Sequence, residues 1–179
     1  MSNLITVKDK QFKPYLPYGQ IQERIIALGK AINDDYQGKE PIFVGILNGA
    51  FMFAADLYKE VTLPSEITFM KVKSYVKDQS SGKVSSVLGL DIDVENRDII
   101  IVEDIVDTGL TMQHLLSDLS RKKPASIQIA TLFLKSAALK VPLNLKYVGF
   151  DIPELFIVGF GLDYDGYGRN LKDVYQINE

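Results

Sequence analysis

The sequence contains no cysteine and a single histidine. The absence of cysteine excludes disulfide bonds and thiolate zinc sites, and it suits a protein of the reducing cytoplasm. The histidine, His114, falls in an amphipathic run, where we expect a solvated side chain rather than a catalytic one. The sequence therefore gives no indication of a Ser-His-Asp catalytic arrangement.

Long apolar runs and an excess of positive charge are lacking as well. No stretch approaches the roughly 20 apolar residues of a membrane helix, and the N-terminal residues contain no apolar core of signal-peptide length. The 20 lysines and arginines are outnumbered by 23 aspartates and glutamates, so no basic surface for nucleic acid is indicated. We expect a cytoplasmic protein that binds neither membranes nor nucleic acids.

What the sequence does contain is typical of one globular α/β domain. Its 179 residues are 46% hydrophobic and 24% charged, and a chain of this length buries about 70% of its unfolded surface. Apolar residues at helical spacing alternate with short apolar runs, which predicts a doubly wound, mostly parallel sheet flanked by helices. We predict helices over residues 17–38, 50–60 and after 109, and strands over residues 42–47, 66–73, 126–134, 147–151 and 155–160, with another beginning at 99.

The most informative stretch covers residues 99–111. It opens with four consecutive β-branched residues, as in a central parallel strand that is buried on both faces. The acids Glu103 and Asp104 follow, and a turn rich in hydroxyl groups and glycine then leads into an amphipathic run. A strand–turn–helix junction of this kind directs backbone N–H groups and a helix N-terminus at one point, which favours a phosphate.

The turn itself contains Asp107, Thr108, Gly109 and Thr111. Gly109 permits a close backbone approach, and the two threonines add hydroxyl donors. Because the acids would repel a bare phosphate, we expect them to face sugar hydroxyls, a metal ion or a proton that is transferred. A phosphorylated ribose fits this combination. The alternative is that the acids merely end the strand and that Asp107 or Thr108 caps the next helix.

Further predicted strand ends carry small or polar residues, and ligands of such sheets bind at this edge. Asn48 and Gly49 follow one strand and form either an anion-binding turn or a plain connection. Ser74 and Tyr75 precede a polar stretch that is either a passive loop or a mobile lid. Lys135 ends another strand on the same edge as the acidic turn, where the alternative is a solvated lysine.

The stretch 99–111 resembles the phosphoribosyl-diphosphate motif of the type I phosphoribosyltransferases. It has the same order of a hydrophobic strand, Glu-Asp, two apolar residues and Asp-Thr-Gly-x-Thr. Other stretches, in the right order, resemble the hypoxanthine-guanine branch of that family: residues 47–50, 73–75, 78–82, 133–135 and 148–164, with Arg169 beyond. The N-terminal segment matches only in outline.

The resemblance implies an organisation and a reaction. The chain, residues 1–179, is expected to form one domain, with a core of about 38–150 and a small hood from about 1–37 and 151–179. The family transfers the ribose 5-phosphate of phosphoribosyl diphosphate to N9 of a purine and releases pyrophosphate with the help of Mg²⁺. We therefore expect hypoxanthine and guanine as substrates, IMP and GMP as products, and, as in relatives, a homodimer or homotetramer.

Residue roles follow from the positions that match the family's motifs. Asp107 matches the residue that faces purine N7 and acts as general acid or base. The phosphoribosyl and 5′-phosphate site matches Glu103, Asp104, Asp107, Thr108, Gly109, Leu110 and Thr111. The pyrophosphate site matches Asn48, Gly49 and Arg169, and the stem of a lid matches Ser74 and Tyr75. The purine site matches Lys135, Phe156, Ile157 and Asp163, and the metal ligands match Glu103, Asp104 and Asp163.

The choice of base depends on Lys135, whose ammonium group has donors only. If it points at the six-position of the purine, it bonds a carbonyl oxygen and clashes with the amino group of adenine. Phe156 is expected to stack on the ring, and the Ile157 carbonyl to accept a hydrogen bond from N1–H. This predicts specificity for 6-oxopurines, with an enzyme that prefers xanthine as an open alternative.

Two positions depart from the family pattern. Many relatives have lysine or arginine where this chain has Asn48, often after a cis peptide bond, so one cation for pyrophosphate is absent. Leu110 replaces a lysine of some relatives. The alternative from another functional class is a regulator that senses phosphoribosyl diphosphate and binds DNA or RNA. Such a protein usually needs a basic face or an added helix-turn-helix, and neither is evident in the sequence.

Overall fold

The computed structural model describes residues 4–72 and 86–178. The helices are α1 (Tyr18–Asp35), α2 (Phe51–Lys59) and α3 (Leu110–Ser120). The strands are β1 (Ile5–Val7), β2 (Lys10–Leu16), β3 (Ile42–Leu47), β4 (Glu66–Val72), β5 (Ser86–Leu88), β6 (Asp98–Val106), β7 (Ser126–Leu134), β8 (Tyr147–Asp151), β9 (Ile157–Val158) and β10 (Val174–Ile177). Of the helices in the described ranges, none combines the length and the apolar character needed to cross a membrane.

The larger of two sheets has six strands in the order β5-β4-β3-β6-β7-β8. Strands β4, β3, β6, β7 and β8 are parallel, and β5 adds an antiparallel edge. The register aligns Ile42 of β3 with Ile99 of β6, and Ile99 with Ile127 of β7. The predicted α/β class is therefore confirmed, with the strand of residues 99–106 at its centre.

Both faces of strand β6 are buried, because its apolar side chains alternate between two cores. Ile100 and Val102 pack with helices α1 and α2 on one face. Ile99 and Ile101 pack with helix α3 on the other face. Each of these four side chains is at most 1% exposed. Burial on both faces explains why residues 99–102 of this strand are all apolar rather than alternating with polar residues.

A smaller, four-stranded antiparallel sheet has the order β1-β2-β10-β9 and brings segments from both ends of the chain together. We call it the hood sheet. Its own small core contains the buried side chains Phe12 and Val158. The sequence predicted neither the β1–β2 hairpin nor β10. The hood sheet nevertheless agrees with the resemblance, which implied a hood built from both terminal segments, whereas the exact domain bounds stay a prediction.

The predicted strand over residues 155–160 is wrong in extent. Only Ile157–Val158 is a strand, and it pairs antiparallel with β10 in the hood sheet rather than extending the parallel one. The backbone of Gly159, Phe160 and Gly161 has φ angles of 103°, 48° and 97°. Three successive residues in the left-handed region cannot continue a strand, so the chain turns there.

Candidate active site

An open cleft lies at the carboxyl ends of strands β3 and β6. Its lining includes five of the residues that the sequence assigned to the phosphoribosyl site, namely Glu103, Asp107, Thr108, Gly109 and Thr111. This is the edge at which ligands of doubly wound sheets bind, next to the point where the strand order reverses. The cleft is therefore the candidate active site.

The turn from β6 into α3 is formed by residues 107–109. Gly109 is the N-cap of α3, with φ 79°, and no side chain caps the helix by a hydrogen bond. The alternative in which Asp107 or Thr108 serves as the cap is therefore not what the structure shows. The first N–H groups of an eleven-residue helix, together with the positive end of its dipole, are left to face an anion.

The contacts of Gly109 add to the preference for glycine that its positive φ angle sets. A Cβ atom there would lie 2.9 Å from Leu143 Cδ1, 3.0 Å from Val141 Cγ2 and 3.1 Å from Leu139 Cδ2. The segment after β7 thus packs against the outside of the turn, and the N–H of Lys140 donates to the Thr108 carbonyl at 3.0 Å. This packing holds the turn of residues 107–109 in place.

Towards the end of β6, Asp104 is buried, whereas Glu103 is half-buried and lines the cleft. One carboxyl oxygen of Glu103, Oε2, is enclosed and has no hydrogen-bond partner, and Asp104 is only 9% exposed. Burial raises the pKa of Glu103 well above its usual range, and the neighbouring Asp104 carboxylate raises it further. Burial also raises the pKa of Asp104, against the opposing effects of its hydrogen bonds and of Arg169.

The loop after β3 crosses directly over this acid pair. The peptide bond between Leu47 and Asn48 is cis, and Asn48 is exposed. A Cβ atom on Gly49 would lie 1.6 Å from Asp104 Oδ2, so that no larger residue fits the present geometry. On the other side, a Cβ atom on Gly161 would lie 2.1 Å from the Gly49 carbonyl oxygen. Two glycines thus allow the loop of residues 47–50 to pass between Asp104 and the hood.

Arg169 reaches the same crossing from the hood. Its Nη1 donates to the Gly161 carbonyl at 2.7 Å, and its Nη2 forms an ion pair with Asp163 at 2.7 Å. The other carboxyl oxygen of Asp163 accepts a hydrogen bond from the Gly166 N–H at 2.6 Å. The positive charge of Arg169 also lowers the pKa of Asp104, in opposition to the effect of burial.

The three predicted metal ligands do not form one cluster. Within residues 4–72 and 86–178, no group of three or more histidines, cysteines, aspartates or glutamates is arranged to hold a metal ion. Asp163 is engaged by Arg169 and by a backbone N–H, whereas Glu103 and Asp104 form a separate pair. A metal ion at this site would therefore need ligands from bound phosphate groups or water.

Asp107 and Lys135 meet at the mouth of the cleft. Their strands are neighbours, with Val106 of β6 in register with Leu134 of β7, and the Lys135 N–H donates to the Val106 carbonyl at 2.9 Å. Lys135 Nζ lies 2.9 Å from Asp107 Oδ2. The sequence placed both residues at one edge, but it did not predict that they contact each other.

The remaining predicted purine contacts lie on the hood side. Phe156 is 45% exposed, which is unusual for an aromatic residue, and Ile157 is buried in β9. Ser74 and Tyr75, the predicted lid stem, lie outside the described residues.

Comparison with known proteins agrees with this geometry. A family model described as the phosphoribosyl transferase domain matches residues 16–165. A hypoxanthine-guanine phosphoribosyltransferase of Aquifex aeolicus is 40% identical over 175 residues, which cover 97% of this chain and 98% of the relative. The chain belongs to the phosphoribosyltransferase family.

Further members of the hypoxanthine-guanine branch are equally similar. The Bacillus subtilis enzyme is 42% identical over 153 residues, with 85% of each chain covered. The crystal structure of a hypoxanthine phosphoribosyltransferase from Staphylococcus aureus superposes with a TM-score of 0.88 at 38% identity and covers 93% of this chain and 91% of that one. Both sheets of this phosphoribosyltransferase therefore belong to the type I fold.

Sequence reasoning missed several features of the phosphoribosyltransferase site. Neither the crossing of Gly49 with Gly161 nor the pairing of Asp163 with Arg169 was predicted. The glycines between residues 159 and 168 were a usable signal for a sharply turning loop, because closely spaced glycines favour left-handed backbone. Nothing in the sequence indicated which distant backbone that loop would touch.

Proposed function

We propose that the protein transfers the 5-phosphoribosyl group of phosphoribosyl diphosphate to N9 of hypoxanthine or guanine, giving IMP or GMP and pyrophosphate. The observation that carries this proposal is the contact of Asp107 with Lys135 beside the anion-binding turn. An acid that lines the cleft, the donor-only cation that contacts it and the uncapped helix N-terminus beside it fit a purine whose six-position and N7 lie next to a phosphorylated ribose. The names of the relatives support the same reaction.

The 5′-phosphate is proposed to bind the turn of residues 107–111. Support comes from the uncapped N-terminus of α3, the hydroxyl groups of Thr108 and Thr111, and the left-handed Gly109. Leu110 is 41% exposed and contributes its backbone N–H rather than its side chain. The candidates for pyrophosphate are Asn48 and Gly49, on the loop after β3, and Arg169, which bonds Gly161 beside Gly49 and supplies a positive charge.

Mg²⁺ is the proposed cofactor, and the donors present fit it. Glu103 and Asp104 offer hard carboxylate oxygens, and Glu103 Oε2 is enclosed without a hydrogen-bond partner. Asp163 forms an ion pair with Arg169. Because Mg²⁺ usually combines one or two carboxylates with phosphate oxygens and water, the absence of a three-acid cluster among the described residues is compatible with it. When bound, the ion neutralises charge on the departing pyrophosphate.

Asp107 is the proposed general acid or base. Its side chain is 51% exposed in the cleft, and the ammonium group of Lys135 compensates its charge. In the proposed reaction Asp107 acts as general acid or base towards N7 of the purine, accepting a proton from it or donating one to it. Lys135 donates a hydrogen bond to the carbonyl oxygen at the six-position. These two purine atoms are near neighbours, which matches two side chains that contact each other.

The experiment that tests the proposal measures nucleotide formation from phosphoribosyl diphosphate with hypoxanthine, guanine, xanthine and adenine, with and without Mg²⁺. We expect turnover of the first two bases, little turnover of adenine, and loss of activity when Mg²⁺ is chelated. Faster turnover of adenine than of hypoxanthine would contradict the role of Lys135. Faster turnover of xanthine than of hypoxanthine and guanine would support the proposed reaction but show that xanthine is the preferred base.

A further inference from the structure

The ring of Phe156 packs against two other aromatic rings. Its centroid lies 6.3 Å from that of Phe12, with the planes at 42°, and 5.9 Å from that of Tyr164, with the planes at 89°. Phe12 and Tyr164 are themselves 6.3 Å apart. The three residues form a triangle of mutual contacts, which we call the aromatic triad. Edge-to-face and tilted arrangements at these separations are the favourable ones for aromatic pairs.

The hood sheet fixes both the ring and the backbone of Phe156. Phe12 lies on β2, is fully buried, and is in register with Ile177 of β10. The N–H of the same Ile177 donates to the Phe156 carbonyl at 2.9 Å. Phe156 is therefore covered on the side of the hood, while 45% of its surface remains open.

Strand β2 also contacts the third member of the triad. The Nζ atom of Lys10 lies 5.0 Å from the centroid of the Tyr164 ring, in a cation–π contact. Lys10 and Phe12 are two positions apart on one strand, so their side chains share a face of β2. The N-terminal hairpin thus contacts Tyr164 through one side chain and Phe156 through the other.

We propose that Phe12 and Tyr164 are positioning residues for the purine, because they hold the Phe156 ring in the orientation that stacks on the base. This rests on the proposed function, in which Phe156 is the stacking residue. A ring that is already fixed loses less conformational freedom when the base binds. The N-terminal hairpin, which resembles the family only in outline, thereby becomes part of base recognition without touching the base.

The test compares three variants with the wild type in steady-state assays with hypoxanthine and phosphoribosyl diphosphate. We expect Phe12→Leu and Tyr164→Leu each to raise the KM for hypoxanthine roughly three- to tenfold. The KM for phosphoribosyl diphosphate and the kcat are expected to stay within about twofold, since neither residue contacts the phosphate sites. Tyr164→Phe keeps the ring and is expected to restore the wild-type KM for hypoxanthine.

Phe43→Leu is the matched control for loss of stability. Phe43 is only 1% exposed and packs on the Tyr58 ring at 5.4 Å, but it lies near the start of β3, away from the triad. We expect it to lower the Tm about as much as Phe12→Leu without changing the KM for hypoxanthine. The inference is overturned if both triad variants keep the wild-type KM, or if Phe43→Leu raises it equally.

Phe156→Leu distinguishes the stacking role of Phe156 from the positioning role of Phe12 and Tyr164. If it raises the KM for hypoxanthine while Phe12→Leu and Tyr164→Leu do not, stacking on Phe156 stands and only the positioning role fails. If the wild type forms no nucleotide from any purine, the proposed function itself fails.

Discussion

Two groups of acids from one short stretch lie in opposite environments. Towards the end of β6, Asp104 is buried and Glu103 has one enclosed carboxyl oxygen, and burial raises the pKa of both. Asp107, just past the strand, is 51% exposed and is paired with Lys135. Glu103 and Asp104, the inner pair, lie on a strand of the sheet next to the loop of residues 47–50. Asp107, the outer acid, lies on a turn and forms an ion pair. The difference is consistent with the proposed function, in which the outer acid acts on the base and the inner acids lie deeper in the site.

The largest effect is expected from neutralising the outer acid. Asp107→Asn keeps the size and the turn but removes the proton acceptor, so we expect kcat to fall by about 10²- to 10⁴-fold. The KM for phosphoribosyl diphosphate is expected to stay within a few fold, because the backbone N–H groups of the turn are unchanged. Steady-state kinetics measure both quantities, and an unchanged kcat would remove Asp107 from the mechanism.

Removing the cation of the outer pair is expected to change selectivity more than rate. Lys135→Met keeps the aliphatic length but cannot donate to the six-position oxygen, so the ratio of kcat/KM for hypoxanthine over adenine is expected to fall by roughly 10- to 1000-fold. The control is Lys39→Met, since Lys39 forms an ion pair with Asp98 at the opposite end of the sheet. A ratio that stays constant in Lys135→Met would assign base selectivity to other residues.

Crowding the inner pair tests whether it shapes the site. Gly49→Ala places a methyl group where Asp104 Oδ2 now lies, so we expect about 1–3 kcal/mol of destabilisation and roughly tenfold lower kcat/KM for phosphoribosyl diphosphate. Chemical denaturation and kinetics measure these changes. Gly19→Ala is the control, because a Cβ atom there meets nothing within 4 Å. Equal behaviour of the two variants would show that the loop moves away at little cost.

The smallest expected effect is a change in how stability depends on pH. Since the pKa of Glu103 is raised in the folded state, the protonated form stabilises the fold, and this stability is lost as pH rises from about the usual value of 4.5 through the raised one. Glu103→Gln cannot lose a proton, so its Tm is expected to match the wild type near pH 4 and to exceed it by a few degrees near pH 8. Thermal melts across this range measure the difference, and a constant offset at all pH values would contradict it.

The parts of the fold that sequence predicted well are those with local patterns. Strand β6 and its turn were predicted because β-branched residues, two acids and Asp-Thr-Gly follow one another within residues 99–111. The β1–β2 hairpin was not, because its residues alternate only weakly between buried and exposed, and Lys13 and Pro14 interrupt the apolar pattern.

Contacts between distant segments could not be predicted from the sequence, for a different reason. The pairing of Asp107 with Lys135 and the aromatic triad depend on strand register and on the hood closing over the core. A single sequence contains no direct record of such contacts. The edge of the sheet could be predicted from topology rules, but the orientation of each side chain there could not.

The close contact of Gly49 with Gly161 constrains which residues can occupy position 161. A side chain at position 161 would enter the space of the Gly49 carbonyl oxygen, 2.1 Å from the site of its Cβ atom. A combinatorial library that randomises position 161 should therefore return glycine, and the φ angle of 97° at this position favours glycine as well. Engineers who wish to transplant a hood from a homologue would need to carry the facing loop with it.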